Sequence, residues 1–244
     1  MVIKVGCCGF PVAKNKYFQN LKLVEIQQTF YKLVSEDLLE KWRKEAPKDF
    51  EFTIKAFQGL THSIKSFTWK RSGLSKEELK KIEKYVGSLK VNKVTMEYWE
   101  VMLKYAKILN SKIILLQLPN SFNDSEENIK QAKEFLKNVE SSKVIIALEL
   151  RGWKKENKLK IFEEFNAIDV VDLSFEKPSI VKDILYTRLH GKHEGNKIIY
   201  SYEYTKNELE KIKDYLLEIN AKESYVLFNN SSMFKNALEF ISLL

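Results

Sequence analysis

Polar side chains of the kinds that move protons and hold anions recur at the ends of short apolar runs in this chain. Glu25 and Gln27 end the run that begins at Lys22, Lys55 ends the one from Phe50, Gln117 the one from Lys112, and Glu149 with Arg151 the one from Val144. Asp172, then Arg188 with His190, then Asn229 with Asn230, end the later runs in the same way. Lys55, Arg151 and Arg188, joined by amide donors from Gln117, Asn229 and Asn230, suit a phosphate or a carboxylate, because a guanidinium offers two oxygens a planar fork. Among the cations, Arg188 is the expected principal anion contact, since it shares a strand face with His190. Glu25, Glu149 and His190 are the candidates for general acid or base. The imidazole qualifies because its ordinary pKa lies near neutrality, and the carboxylates because burial raises theirs. Tyr31 and Trp153, like Phe30 and Tyr202, lie near these motifs and are read either as platforms for a base or sugar ring or as packing. Any one of the charged residues could be an ion pair closing a strand end. A whole row is harder to explain that way, because each buried charge is costly unless paired.

The spacing says what must hold these groups. Glu25 and Gln27, Glu149 and Arg151, and Arg188 and His190 are each two apart, so on a strand each pair faces one side. Eight β-branched apolar runs can be counted: Ile3 to Cys7, Lys22 to Ile26, Phe50 to Ala56, Lys112 to Leu118, Val144 to Leu150, Ile168 to Leu173, Ile184 to Leu189, and Tyr225 to Phe228. Their near-continuous apolar character is that of strands covered on both faces. Amphipathic helices fall between them. Ser75 with Glu78 and Thr205 with Glu208 are capping boxes, and Ser35 precedes the acidic pair Glu36-Asp37. Strand then helix, repeated, implies parallel pairing. The expectation is therefore a single-domain (β/α)8 TIM-type barrel over 1–244, with an elaborated connection between strands 3 and 4 that includes a helix from Met96 to Leu109. Parallel barrels carry their sites at the carboxyl-terminal rim, where all the polar ends just named would lie. A doubly wound open sheet is the alternative.

Hydrophobic residues make up 44% of the 244-residue chain and charged residues 30%, which is globular composition with disorder expected only at loop tips, and no long uncharged run offers a membrane span. The chain runs from Met1 directly into strand-like alternation with no leader, so a cytoplasmic location is expected. The two cysteines, Cys7 and Cys8, are adjacent and cannot be bridged without strain, which fits a reducing compartment and small buried side chains. A net charge of +8 favours anionic partners, either a small anionic ligand or a nucleic acid, without locating them. Neither a glycine-rich phosphate loop nor a dinucleotide fingerprint appears, so nicotinamide and nucleoside-triphosphate chemistry are disfavoured.

The stretch Val24-Glu25-Ile26-Gln27-Gln28-Thr29-Phe30-Tyr31-Lys32-Leu33 resembles a signature of the YecE-like proteins, the domain-of-unknown-function family numbered seventy-two. Six further segments in order are similar to that family's motifs: Phe52 to Ala56 with Thr61-His62, Leu116 to Pro119 with Ser121-Phe122, Leu148 to Arg151 with Trp153, Tyr186 to Gly191, Tyr200 to Tyr202, and Phe228 to Asn230. The chain departs from the pattern at Gly6-Cys7-Cys8-Gly9-Phe10-Pro11, where Ser-Gly-Trp is common, and at Gln27, where Asn is usual. The resemblance implies a barrel related to xylose isomerase and endonuclease IV and implies no reaction. A trinuclear zinc site of the endonuclease kind cannot be assembled from three histidines, His62, His190 and His193, and the cations nearby oppose even a single divalent ion. The expectation is no cofactor. His190-Gly191-Lys192-His193 has ligand-like spacing and is read as an unmetallated loop pair. Two readings follow: an enzyme using acid–base chemistry on a sugar phosphate, a nucleic acid lesion or another anionic substrate, or a non-catalytic protein that binds an anionic metabolite or strand.

Overall fold

The computed structural model describes residues 1–139, 143–195 and 197–244. The strands in chain order are β1 (Val2–Cys8), β2 (Leu23–Ile26), β3 (Glu51–Lys55), β4 (Ile113–Gln117), β5 (Ile145–Glu149), β6 (Ala167–Val171), β7 (Ile184–Leu189), β8 (Lys192–Glu194), β9 (Lys197–Ile199) and β10 (Glu223–Phe228). Eight of them close a barrel in the order β1-β10-β7-β6-β5-β4-β3-β2, and β8 and β9 pair as a separate hairpin. This disposes of the open sheet. The cause is visible in β4, where every residue of Ile113–Gln117 is buried, as strands covered on both faces require. Each barrel strand coincides with one of the eight runs read from the sequence.

Packing divides the chain into two compact units. The first holds Met1–Glu25, Ala46–Glu51 and Ile168–Leu244. In it β10 pairs in parallel with β1 from Val2↔Glu223 to Cys7↔Phe228 and with β7 from Glu223↔Ile184 to Phe228↔Leu189. Gly6 of β1 is required there, since a Cβ would lie 2.1 Å from the Leu23 carbonyl oxygen. The second unit holds Ile26–Glu45 and Phe52–Ala167, with β4 paired to β5 in a register that sets Gln117 beside Glu149.

The helices are α1 (Lys14–Asn20), α2 (Gln28–Tyr31), α3 (Glu36–Glu45), α4 (Gln58–Thr61), α5 (Lys76–Ile82), α6 (Lys93–Leu109), α7 (Glu126–Val139), α8 (Lys155–Phe162), α9 (Lys206–Ile219) and α10 (Met233–Leu243). The capping boxes at Ser75 and Thr205 both form. The connection from β3 to β4 is elaborated as expected, carrying α4, a 3-10 turn over Phe67–Arg71, α5 and α6. Its last helix starts before Met96, because Asn92 and Thr95 make a further capping box. No helix among the described residues is long and apolar enough to cross a membrane.

Candidate functional site

The carboxyl ends of β2 and β7, in the first unit, meet in a buried ion pair. Arg188 Nη2 and Nε lie 2.9 and 3.1 Å from Glu25 Oε1, and the Tyr186 hydroxyl donates to Glu25 Oε2 at 2.7 Å. Arg188 is 1% exposed and Glu25 fully buried. The two residues expected at the site are thus brought together, as guanidinium and carboxylate neutralising each other. Tyr186, two residues before Arg188 on the same strand face, is a partner that the sequence reading missed.

Beside it, Asp172 after β6 organises a second cluster. Its Oδ2 accepts from His193 Nε2 at 2.9 Å and from the His190 backbone N–H at 2.9 Å, while Oδ1 accepts from the backbone and hydroxyl of Ser174. Burial alone would raise this carboxyl. The bonds from His193, Ser174 and the His190 backbone outweigh burial and hold it below the usual carboxylate range. Because Nε2 of His193 donates to Asp172, the neutral ring keeps its lone pair on Nδ1, the geometry of a base oriented by a carboxylate. The His193 ring stacks on Phe175 with centroids 4.1 Å apart and planes 6° from parallel. His190, 2% exposed, takes the Asn229 Nδ2 bond on Nδ1 at 2.9 Å, which leaves its proton on Nε2. Asn230 has a structural task, donating to the Tyr202 carbonyl and to Asn236 Oδ1.

His193 reaches Asp172 because β8 and β9 fold back over the end of β7. Gly191 makes the turn with φ of +108°, and a Cβ there would sit 2.4 Å from the Ile199 carbonyl oxygen. The Tyr204 hydroxyl accepts from Gly191 N–H and donates to its carbonyl, pinning the turn. The hairpin is where expectation and structure part. The spacing of His190 and His193 suggests a loop pair, whereas the structure puts His193 on β8, a three-residue strand too short to leave a recognisable pattern.

In the second unit, Lys55 ends β3 with Nζ 3.9 Å from the centre of the Phe30 ring, and it is 6% exposed. His62, also buried, packs edge-on to Phe30 at 5.0 Å and bonds through Nδ1 to Thr61 Oγ1. Burial, reinforced by the positive charges of Lys55 and Arg151, pushes the His62 imidazole down to about 3, so it is neutral at physiological pH. Arg151 Nε donates to Glu149 Oε1 at 2.5 Å. Gln117 donates to the Leu118 carbonyl, and Gln27 begins α2 half-buried. Trp153 and Tyr31 are engaged within the protein: Trp153 donates to the Phe122 carbonyl and stacks on the Phe122 ring, and Tyr31 carries the Arg71 guanidinium 3.5 Å above its ring centre.

Two other features bear on the reading. Polar clustering is not confined to the carboxyl ends, since Lys4 on β1 bridges Glu51 and Glu223 at 2.6 Å each, with the Tyr225 hydroxyl alongside. Cys7 and Cys8 are buried free thiols, and burial pushes Cys7 up to about 12 and Cys8 well above its ordinary value, so neither is a thiolate at neutral pH. Among the described residues no three His, Cys, Asp or Glu side chains gather as a metal ion would need.

A closed parallel barrel with ionisable side chains at the carboxyl ends of its strands belongs to the TIM-type class. Within that class the chain belongs to the family described as Protein of unknown function DUF72, whose profile matches residues 15–244. It is 25% identical over 246 residues to the UPF0759 protein YunF of Bacillus subtilis (strain 168), covering 88% of this chain and 79% of that one. In fold it is similar to the crystal structure of a DUF72 family protein from Enterococcus faecalis V583, with a TM-score of 0.70, 21% identity and coverage of 99% and 97%. A xylose isomerase domain containing protein from Salmonella typhimurium LT2 is similar at a TM-score of 0.55, with 10% identity and coverage of 98% and 95%. The family read from the seven ordered motifs and the TIM-type barrel are both borne out.

Proposed function

We propose that this protein is a cytoplasmic enzyme that carries out acid–base chemistry on a phosphate-bearing or otherwise anionic substrate, a sugar phosphate or a nucleic acid lesion, at the carboxyl ends of its barrel strands. The observation that carries this reading is the Asp172–His193 contact of 2.9 Å, which orients an imidazole and fixes its tautomer. In this reading His193 Nδ1 takes a proton from the substrate and returns it as the imidazolium, while the neutral His190, set by Asn229, donates a hydrogen bond from its Nε2–H that polarises the substrate. Glu25 and Glu149, each held by an arginine, keep charge in place rather than carrying protons. No cofactor is invoked. The buried, unbridged pair Cys7 and Cys8 supports a reducing compartment.

One observation favours the second reading, a protein that binds an anion without converting it. Lys55 and Arg151 create enough positive potential around His62 to help hold it neutral, and the same potential attracts phosphate. Turnover decides between the two. Wild-type protein and His193→Gln are to be assayed against sugar phosphates, phosphomonoesters and abasic duplexes. The enzyme reading expects conversion of one class and a loss of roughly 100- to 10,000-fold in the variant. Binding without conversion, or an unchanged rate in His193→Gln, contradicts it.

A further inference from the structure

From Lys55 to Lys76 the chain contains no Asp or Glu, while Lys65, Lys70, Arg71 and Lys76 all lie in this stretch and are exposed. None of these four forms a salt bridge among the described residues, in contrast to Lys104, which pairs with Glu36 at 2.6 Å in the same unit. In the middle of this run Phe67 is 79% exposed, the largest exposure of any large apolar side chain in the protein. Exposed in a run of cations with no acid among them, the phenyl ring offers a flat apolar face beside positive charge.

Phe67 is not held out by a slack loop. It opens a 3-10 turn, Phe67–Arg71, capped by Ser66. Two residues on, Trp69 is buried, donates to the Ser63 carbonyl at 2.9 Å and packs edge-on to Phe57. Thr68 Oγ1 donates to Gln58 Oε1 at 2.6 Å, and Gln58 Nε2 donates to the Tyr31 carbonyl at 2.8 Å. Those anchors fix the Phe67 backbone and aim its ring outward. Arg71, at the other end of the turn, lies over the Tyr31 ring at 3.5 Å, which presents a flat cationic surface.

We propose that the turn around Phe67 is a docking surface for single-stranded nucleic acid. Phe67 stacks on an unpaired base, the Arg71–Tyr31 pair offers a second platform, and Lys65 and Lys70 contact phosphates. Base stacking on an aromatic ring beside a cationic track is the general physics of sequence-tolerant strand binding. An anionic membrane would also attract the lysines. However, Phe67 and Leu74 are the exposed large apolar side chains of the run, far less apolar surface than an interfacial helix buries. The surface uses neither Asp172 nor His193, so the acid–base reading and this one can fail separately.

The test is fluorescence anisotropy of a labelled oligothymidylate titrated with the full chain at two salt concentrations. Phe67→Ala should weaken binding by about tenfold, since a stacked base contributes about that much. Phe67→Trp should restore binding and report stacking by quenching. Lys65→Gln with Lys70→Gln should reduce the slope of log K against log salt by about 1.4, at roughly 0.7 per phosphate contact on a single strand. Lys104→Gln, at a lysine already paired with Glu36, should leave affinity unchanged. Absence of binding, equal affinity for Phe67→Ala, tighter binding of a duplex, or binding to phosphatidylserine vesicles in place of the oligonucleotide would each overturn the proposal.

Discussion

Asp172 accepts four hydrogen bonds on its two oxygens, one of them from His193, whereas Glu25 is closed in by Arg188 and Tyr186. Two buried carboxylates, one on β2 and one after β6, therefore have different work. Arg188→Met should leave Glu25 as a buried uncompensated charge and cost on the order of 3–5 kcal/mol, read as a lower urea midpoint. An unchanged midpoint would mean that the pair is not structural. His62 gives a pH dependence with a definite sign. Its pKa falls from 6.5 in the unfolded chain to about 3 when folded, so the unfolded state takes up the proton first. Stability present above pH 6.5 is then lost as pH falls toward about 3, at up to about 1.4 kcal/mol per pH unit. Asp172, also depressed, acts only below 3.8, so of these two groups His62 alone acts between 6.5 and 3.8. His62→Asn should flatten the upper window in melts at a series of pH values, and a wild-type slope in that variant would refute the assignment. At this scale the sequence showed residue types well and partners poorly. It named Glu25 and Arg188 but could not say that they neutralise each other, because pairing across 163 positions of sequence is set by strand order.

The hairpin β8–β9 is the element on which the acid–base reading depends. Gly191→Ala would place a Cβ 2.4 Å from the Ile199 carbonyl oxygen at a φ of +108°. A strained backbone of this kind costs on the order of 1–3 kcal/mol, and the hairpin can escape by moving His193 off Asp172. The expected result is a lower melting temperature together with loss of the His193 Nε2–H signal in imidazole-selective NMR. An intact signal would show that the turn does not position the dyad. The barrel strands were legible because burial on both faces writes itself as an unbroken apolar run, as in Ile113-Ile114-Leu115-Leu116. Helix starts were legible where the cap was Ser or Thr with Glu. The start of α6 was missed because its cap uses Asn92 with Thr95. The hairpin was illegible because three residues with exposed ends carry no period.

For the molecule as a whole, the carboxyl ends of eight parallel strands in a closed barrel are where such folds usually carry their chemistry, and the net charge of +8 supports the proposal of an anionic ligand. The family and the barrel could be read from ordered motifs. The reaction could not, because fold and chemistry are separable. Both proposed readings need an anion held at the strand ends, and the binding reading places it beside Lys55. The most direct test is the melting of wild-type protein and Lys55→Met in inorganic phosphate against chloride at matched ionic strength. A ligand that binds only the folded state stabilises it by RT ln(1 + [L]/Kd), about 2.7 kcal/mol at a hundredfold excess over Kd. A phosphate-specific rise in the wild type that is lost in Lys55→Met is the predicted result; no phosphate-specific rise, or a full rise in the variant, would contradict it.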